Sequence, residues 1–189
     1  MIVIFGKPYL KLLFTTGTAT EKKHRFQPDI TKRYIKVVNT MIAVKDIGDL
    51  SRINSLRYEK LTADRIIKPL QIRLDMVDIS GVDPTMIANN TSPAQATHPG
   101  EIILDEIEHL GISQKDFAER IGVSRSLVSQ VLAGKRAVST EFALLTEAAI
   151  DLPADLLLRM QARHDRWKVE KEPAFMDRLS KIRKFAAVL

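Results

Sequence analysis

Five side chains packed into seven residues could hydrogen-bond to a partner from one side of a short helix. Ser124, Arg125, Ser126, Ser129 and Gln130 face away from Leu127, Val128, Val131 and Leu132 at helical spacing. Hydroxyls, an amide and a guanidinium of this reach suit the donors and acceptors of base edges in a major groove. Gln114 opens the preceding run, where an amide can reach a phosphate oxygen. Lys135 and Arg136 follow the polar run as natural phosphate contacts. From Ser113 to Arg136 there are five basic and two acidic residues, so the stretch favours a polyanion. An ordinary helical hairpin with a polar outer face would show the same spacing. The caps, the small residue and the glycine described next favour the nucleic-acid reading.

Those side chains need two short helices at a fixed angle, and the sequence marks both. Ser113 and Asp116 make a capping box for a helix through Ile121. Gly122 breaks the chain and can adopt a left-handed backbone. Ser124 caps the next helix and Gly134 ends it. Ala118 is small enough for close packing, and Val123 and Val128 are apolar where the helices must meet. A helix before the pair starts at Pro99, with His98 as cap, Glu101 reaching back and a stripe of Ile103, Ile107 and Leu110. Its acids, Glu101, Asp105, Glu106 and Glu108, would face away from a polyanion. Ser139 caps a fourth helix, Pro153 opens a fifth, and PAFMDRLSKIRKFAAVL is a last helical run. Its basic end reads as a solvated face, with a second phosphate contact or a docking surface as the sharper alternative.

The segments HPGE, SQKDFAERIGVS, VLAGKRAVSTE and LLLRMQARHD, in that order, resemble antitoxins of the HigA type in the Xre helix-turn-helix superfamily. The resemblance runs from about Val77 to Leu189. It implies a five-helix domain like that of phage repressors, a homodimer bound to operator DNA at its own operon, and a partner toxin of the HigB type. It also implies base reading by Ser124, Arg125, Ser126, Ser129 and Gln130.

The front of the chain differs. Residues 1–75 carry 15 Lys and Arg against 7 Asp and Glu, whereas residues 76–189 carry 14 against 16. MIVIF reads as a short strand and PYLKLLFTT as a short helix. The run after Pro28 reads as a long helix with a stripe of Ile30, Tyr34, Val37, Met41 and Val44. SLRYEKL and IIKPLQIRLDMVDI read as strands. Residues 7–10, 21–28 and 54–61 resemble HigB-type toxins of the RelE superfamily, ribosome-dependent RNA nucleases, and the likeness stops after Arg65. Cleavage would need a base, an acid and cations, types that His24, Lys22, Lys23 and Arg25 supply. No sheet remains in the sequence to hold them, so this stretch reads as a solvated basic loop. A residual endoribonuclease restrained by the fused antitoxin is the alternative to a non-catalytic repressor.

The expected fold is therefore mainly α. A truncated α+β segment spans residues 1–75, a linker and arm 76–98, and the helix-turn-helix domain with a C-terminal helical extension 99–189. The long front helix lacks a sheet to cover it, so this part is expected to rest on the second domain or on another chain. The apolar N-terminus is interrupted by Lys7, Pro8 and Lys11 and suits neither a signal peptide nor a membrane span. With no cysteine, disulfides are excluded and a cytoplasmic protein is expected. His24, His98, His109 and His164 lack ligand spacing, so no metal or other cofactor is expected. Apart from the cap His98, they read as surface residues. Met160 and Trp167 read as core or dimer contacts.

Overall fold

The computed structural model describes residues 2–19, 26–56 and 83–186. Nine α-helices run in chain order through these residues. They are α1 (Pro8–Thr16), α2 (Pro28–Ala43), α3 (Ile47–Ser51), α4 (Pro99–His109), α5 (Gln114–Arg120), α6 (Arg125–Leu132), α7 (Thr140–Ile150), α8 (Ala154–Glu170) and α9 (Pro173–Ala186). The chain is mainly helical, as its periodicity predicts. Among the described residues there is no strand. The strand expected at the N-terminus is reduced to one antiparallel bridge, Ile4 to Ile87. The strands expected within SLRYEKL and IIKPLQIRLDMVDI lie outside the described residues, apart from the first two residues, Ser55 and Leu56, which belong to a 3-10 turn.

Helices α4 to α8 enclose one core. Ile102, Ile103 and Ile107 of α4 meet Phe117 and Ala118 of α5, Val128 and Val131 of α6, Phe142 of α7, and Leu156 and Leu157 of α8. The α4 stripe is Ile102, Ile103 and Ile107. Leu110, expected on it, stays exposed because α4 has ended and its backbone is turning toward Gly111. The opening of α4 explains the HPGE run. His98 Nδ1 accepts from the Gly100 N–H at 3.0 Å, and Glu101 accepts from the His98 N–H at 3.2 Å. A Cβ on Gly100 would lie 2.1 Å from the Val131 carbonyl oxygen, so only glycine lets α4 approach the end of α6 this closely.

The front segment rests on this core, as expected. Ala43, Val44, Leu50 and Ile53 belong to the same apolar cluster as the five helices. A second cluster joins Val3, Phe5, Leu10, Phe14, Ile35, Val38, Ile42 and Ala88, with the Phe5 and Phe14 rings 5.5 Å apart. Of the expected stripe only Val44, just past the end of α2, is buried, and the helix itself buries another face. Thr31, Ile35, Val38 and Ile42 point inward, and Ile30 is 52% exposed. Tyr34, Val37 and Met41 are only half-buried. The face is turned because it buries polar residues that apolar spacing ignores. Asn39 Nδ2 donates to Gln95 O at 3.0 Å and to Thr97 Oγ1 at 3.1 Å, and Thr40 Oγ1 donates to Lys36 O at 2.9 Å.

The stretch from Asp83 to His98 is well packed. It has turns at Pro84–Met86 and Ala88–Asn90, and Ile87 and Ala88 are buried. The Phe5 N–H donates to Met86 O at 2.9 Å and the Ala88 N–H to Val3 O at 2.8 Å. Trp167 Nε1 donates to Pro93 O at 2.9 Å, which ties the arm to α8.

Candidate nucleic-acid interface

Three backbone devices hold α6 in place. The Ser113 hydroxyl accepts from the Asp116 N–H at 3.1 Å and lies 2.7 Å from the Asp116 carboxylate, which starts α5. Gly122 turns the chain at φ 69°, and the Val123 N–H closes on Ala118 O at 3.1 Å. The Ser124 hydroxyl accepts from the Leu127 N–H at 3.2 Å, which starts α6. Val128, Val131 and Leu132 are buried beneath, with Leu127 and Val123 half-buried at the edges. The inner side of α6 is therefore packed and its outer side is fixed in direction.

That outer side is open. Ser124, Arg125, Ser126, Ser129 and Gln130 are all exposed, and so are Lys135 and Arg136 beyond the helix. Gln114 is half-buried at the first position of α5. The polar residues singled out by spacing are thus all exposed except the half-buried Gln114. Among them, Gln130 Nε2 reaches Ser126 Oγ only at 3.4 Å. Arg120, Arg125, Lys135 and Arg136 have no acidic partner among the described residues, whereas Lys115 is 3.8 Å from Glu119. Unpaired cations on a rigid, exposed helix cost nothing to present to a polyanion. With its side chains an α-helix is about 10–12 Å across, which suits a major groove about 12 Å wide.

The acids of α4 are not a free negative face. Glu106 is fully buried and accepts from the Asn54 N–H at 3.0 Å, Asn54 Nδ2 at 2.8 Å and the Ser55 N–H at 2.9 Å. Asp105 pairs with Lys36 of α2, and Glu101 closes the cap. Of the four, only Glu108 is left on the surface without such a task. Glu106 and Asp105 thus hold the front segment, a role that a charge count alone could not reveal. The signal was present: Glu106 stands four residues after Ile102, on the apolar face.

His164, expected at the surface, is buried. Its ring meets the His98 ring edge-on, with centroids 4.9 Å apart. Burial, helped by His164 and Lys168, lowers the His98 pKa to about 4, so the cap works as a neutral acceptor. Met160 is core, as expected, and Trp167 is half-buried against Pro93. His24, Lys22, Lys23 and Arg25 lie outside the described residues. Among the described residues, no group of three His, Cys, Asp or Glu could hold a metal ion, and no helix is long and apolar enough to cross a membrane.

A helix-turn-helix family profile matches residues 103–157, from α4 into α8. The chain is 33% identical over 94 residues to the HTH-type transcriptional regulator YbaQ of Escherichia coli, covering 83% of that protein and 49% of this one. The chain belongs to the helix-turn-helix family of transcriptional regulators. Two solved structures are also similar. An E. coli hypothetical protein shares 29% identity with a TM-score of 0.46, covering 99% of that chain and 49% of this one. The Pseudomonas aeruginosa antitoxin HigA with the higBA promoter shares 24% identity with a TM-score of 0.40, covering 91% of that chain and 47% of this one. In this regulator, the pair α5–α6 is the helix-turn-helix unit.

Proposed function

We propose that this regulator is a sequence-specific DNA-binding antitoxin and autorepressor of a HigBA-type toxin–antitoxin module, acting without catalysis as a cytoplasmic homodimer. The observation that carries the DNA reading is the exposed face of α6, polar, rigidly capped and free of acidic partners. In this reading Arg125 reads guanine through its fork, and Ser124, Ser126, Ser129 and Gln130 contact neighbouring base edges. Gln114, Lys135 and Arg136 hold phosphates and set the register. A dimer presents two such helices about 34 Å apart, one DNA turn. The antitoxin part rests on the ordered segments HPGE, SQKDFAERIGVS, VLAGKRAVSTE and LLLRMQARHD. It makes a HigB-type toxin the protein partner and the front segment the remnant of such a toxin.

A hydroxyl-radical footprint on the DNA upstream of the gene tests the repressor reading. Two protected patches about one helical turn apart are expected. Replacing Lys135 with Ala should weaken all sequences alike and flatten the salt dependence. Uniform weak protection along the fragment would leave a protein-binding module in place of a repressor. Rescue of growth in cells expressing a HigB-type toxin tests the antitoxin reading separately.

A further inference from the structure

A cavity of about 210 Å³ lies between the arm, α2 and α8, away from the face of α6. At about 30 Å³ per water it has room for roughly seven waters, or for one small ion with part of its hydration shell. It is smaller than the roughly 300–1,000 Å³ of drug-sized sites. Its walls are about half polar and half apolar, and their charges do not balance. Arg166 donates from Nε to Glu170 at 2.7 Å, so those two charges cancel. Arg163, one turn earlier, lines the same cavity half-buried with no acidic partner among the described residues. Burial, with repulsion from Arg166, holds its guanidinium below its ordinary pKa. A partly desolvated cation without a partner is costly, and an anion between its prongs would offset that cost. Opposite, Thr97 Oγ1 accepts from Asn39 Nδ2 at 3.1 Å and has its own hydrogen left to donate.

We propose that this cavity binds a small oxyanion of the phosphate or carboxylate class, with Arg163 as its main ligand and the Thr97 hydroxyl as a second donor. Such an anion joins α8 to the arm and so clamps the front segment onto the helix-turn-helix domain. The site is independent of DNA reading and stands or falls without it.

Trp167 is the chain's single tryptophan and lines the cavity, so its emission reports occupancy directly. The full chain is titrated with sodium phosphate and, separately, with sodium malonate, each at ionic strength fixed by sodium chloride. A saturable change with either anion, accompanied by a rise in Tm, is expected, and the anion that saturates names the class. Arg163→Gln should weaken binding by about tenfold or more, and Thr97→Val by a smaller factor of about three. Circular dichroism checks that both variants fold; if Arg163→Gln does not, Thr97→Val and the wild-type curves decide. Responses to both anions that match chloride would overturn the proposal, as would a folded Arg163→Gln that titrates like wild type.

Discussion

The helix-turn-helix domain and the segment before it are specified over different distances along the chain. In the domain, the starts of α4 to α7 are each fixed within three residues: His98 by Gly100 and Glu101, Ser113 by Asp116, Ser124 by Leu127, Ser139 by Phe142. The front segment is held by contacts between residues 51 to 110 positions apart. Arg52 reaches Glu147 and Asp151, Asp49 reaches Arg159, Asn54 and Ser55 reach Glu106, and Lys36 reaches Asp105. The first kind of information survives when an element is considered alone. The second exists only once the domain has formed, so the front segment borrows its order from the domain. The face proposed to read DNA lies on the locally capped part.

Predictions follow from this asymmetry. The largest effect is expected from Glu106→Ala, which removes the acceptor of three hydrogen bonds. At roughly 1.5–3 kcal/mol for each bond to a charged group, less what water recovers, the loss is about 3 kcal/mol. Limited proteolysis should then cut first in the front segment while α4–α8 stay protected; simultaneous loss of both would erase the distinction. Gly100→Ala acts on the domain itself. Overpacking against the Val131 carbonyl should cost about 1–3 kcal/mol and lower Tm in thermal unfolding. A variant as stable as wild type would show that the α4–α6 contact relaxes freely.

The pH dependence comes next. His98 titrates near 6.5 unfolded and near 4 folded, so between these values the unfolded chain binds more protons. Its contribution is complete above about pH 6.5 and is lost as pH falls toward about 4. Denaturant midpoints for His98→Asn, which keeps an acceptor at the cap, should fall less steeply over that window. Identical slopes would remove His98 from the account. The smallest effect is expected from Arg52→Ala. This pair is about one-third exposed on the arginine side, so screening leaves about 1 kcal/mol or less. Measured in the Glu106→Ala background, its effect should shrink further, because both residues anchor the same segment.

This contrast also decides what could be read from the sequence. Helix ends in α4 to α7 were legible because caps and glycines act locally. The face of α6 was legible because its apolar residues had to turn inward, leaving Ser124, Arg125 and Gln130 outside. The long front helix was legible as a helix, but its buried side was misread by about one residue. Asn39 is buried through partners in the arm, with Thr31 and Thr40 buried on the same helix, and apolar periodicity carries no trace of them. Glu106, His164 and Arg163 were missed for the same reason: a titratable side chain counts as surface until its distant partner, or its cavity, is known. In α9, Phe175, Ile182 and Phe185 are exposed, so amphipathic spacing gave the helix but no inner side.

The most direct test of the central claim, that the outer side of α6 reads DNA, is binding of wild type and Arg125→Ala to the DNA upstream of the gene, measured by fluorescence anisotropy against a set of single-base variants. A loss of about 1–3 kcal/mol, with discrimination relaxed at one base pair and the salt slope little changed, is the predicted result. An Arg125→Ala protein with wild-type affinity and an unchanged sequence profile would contradict it.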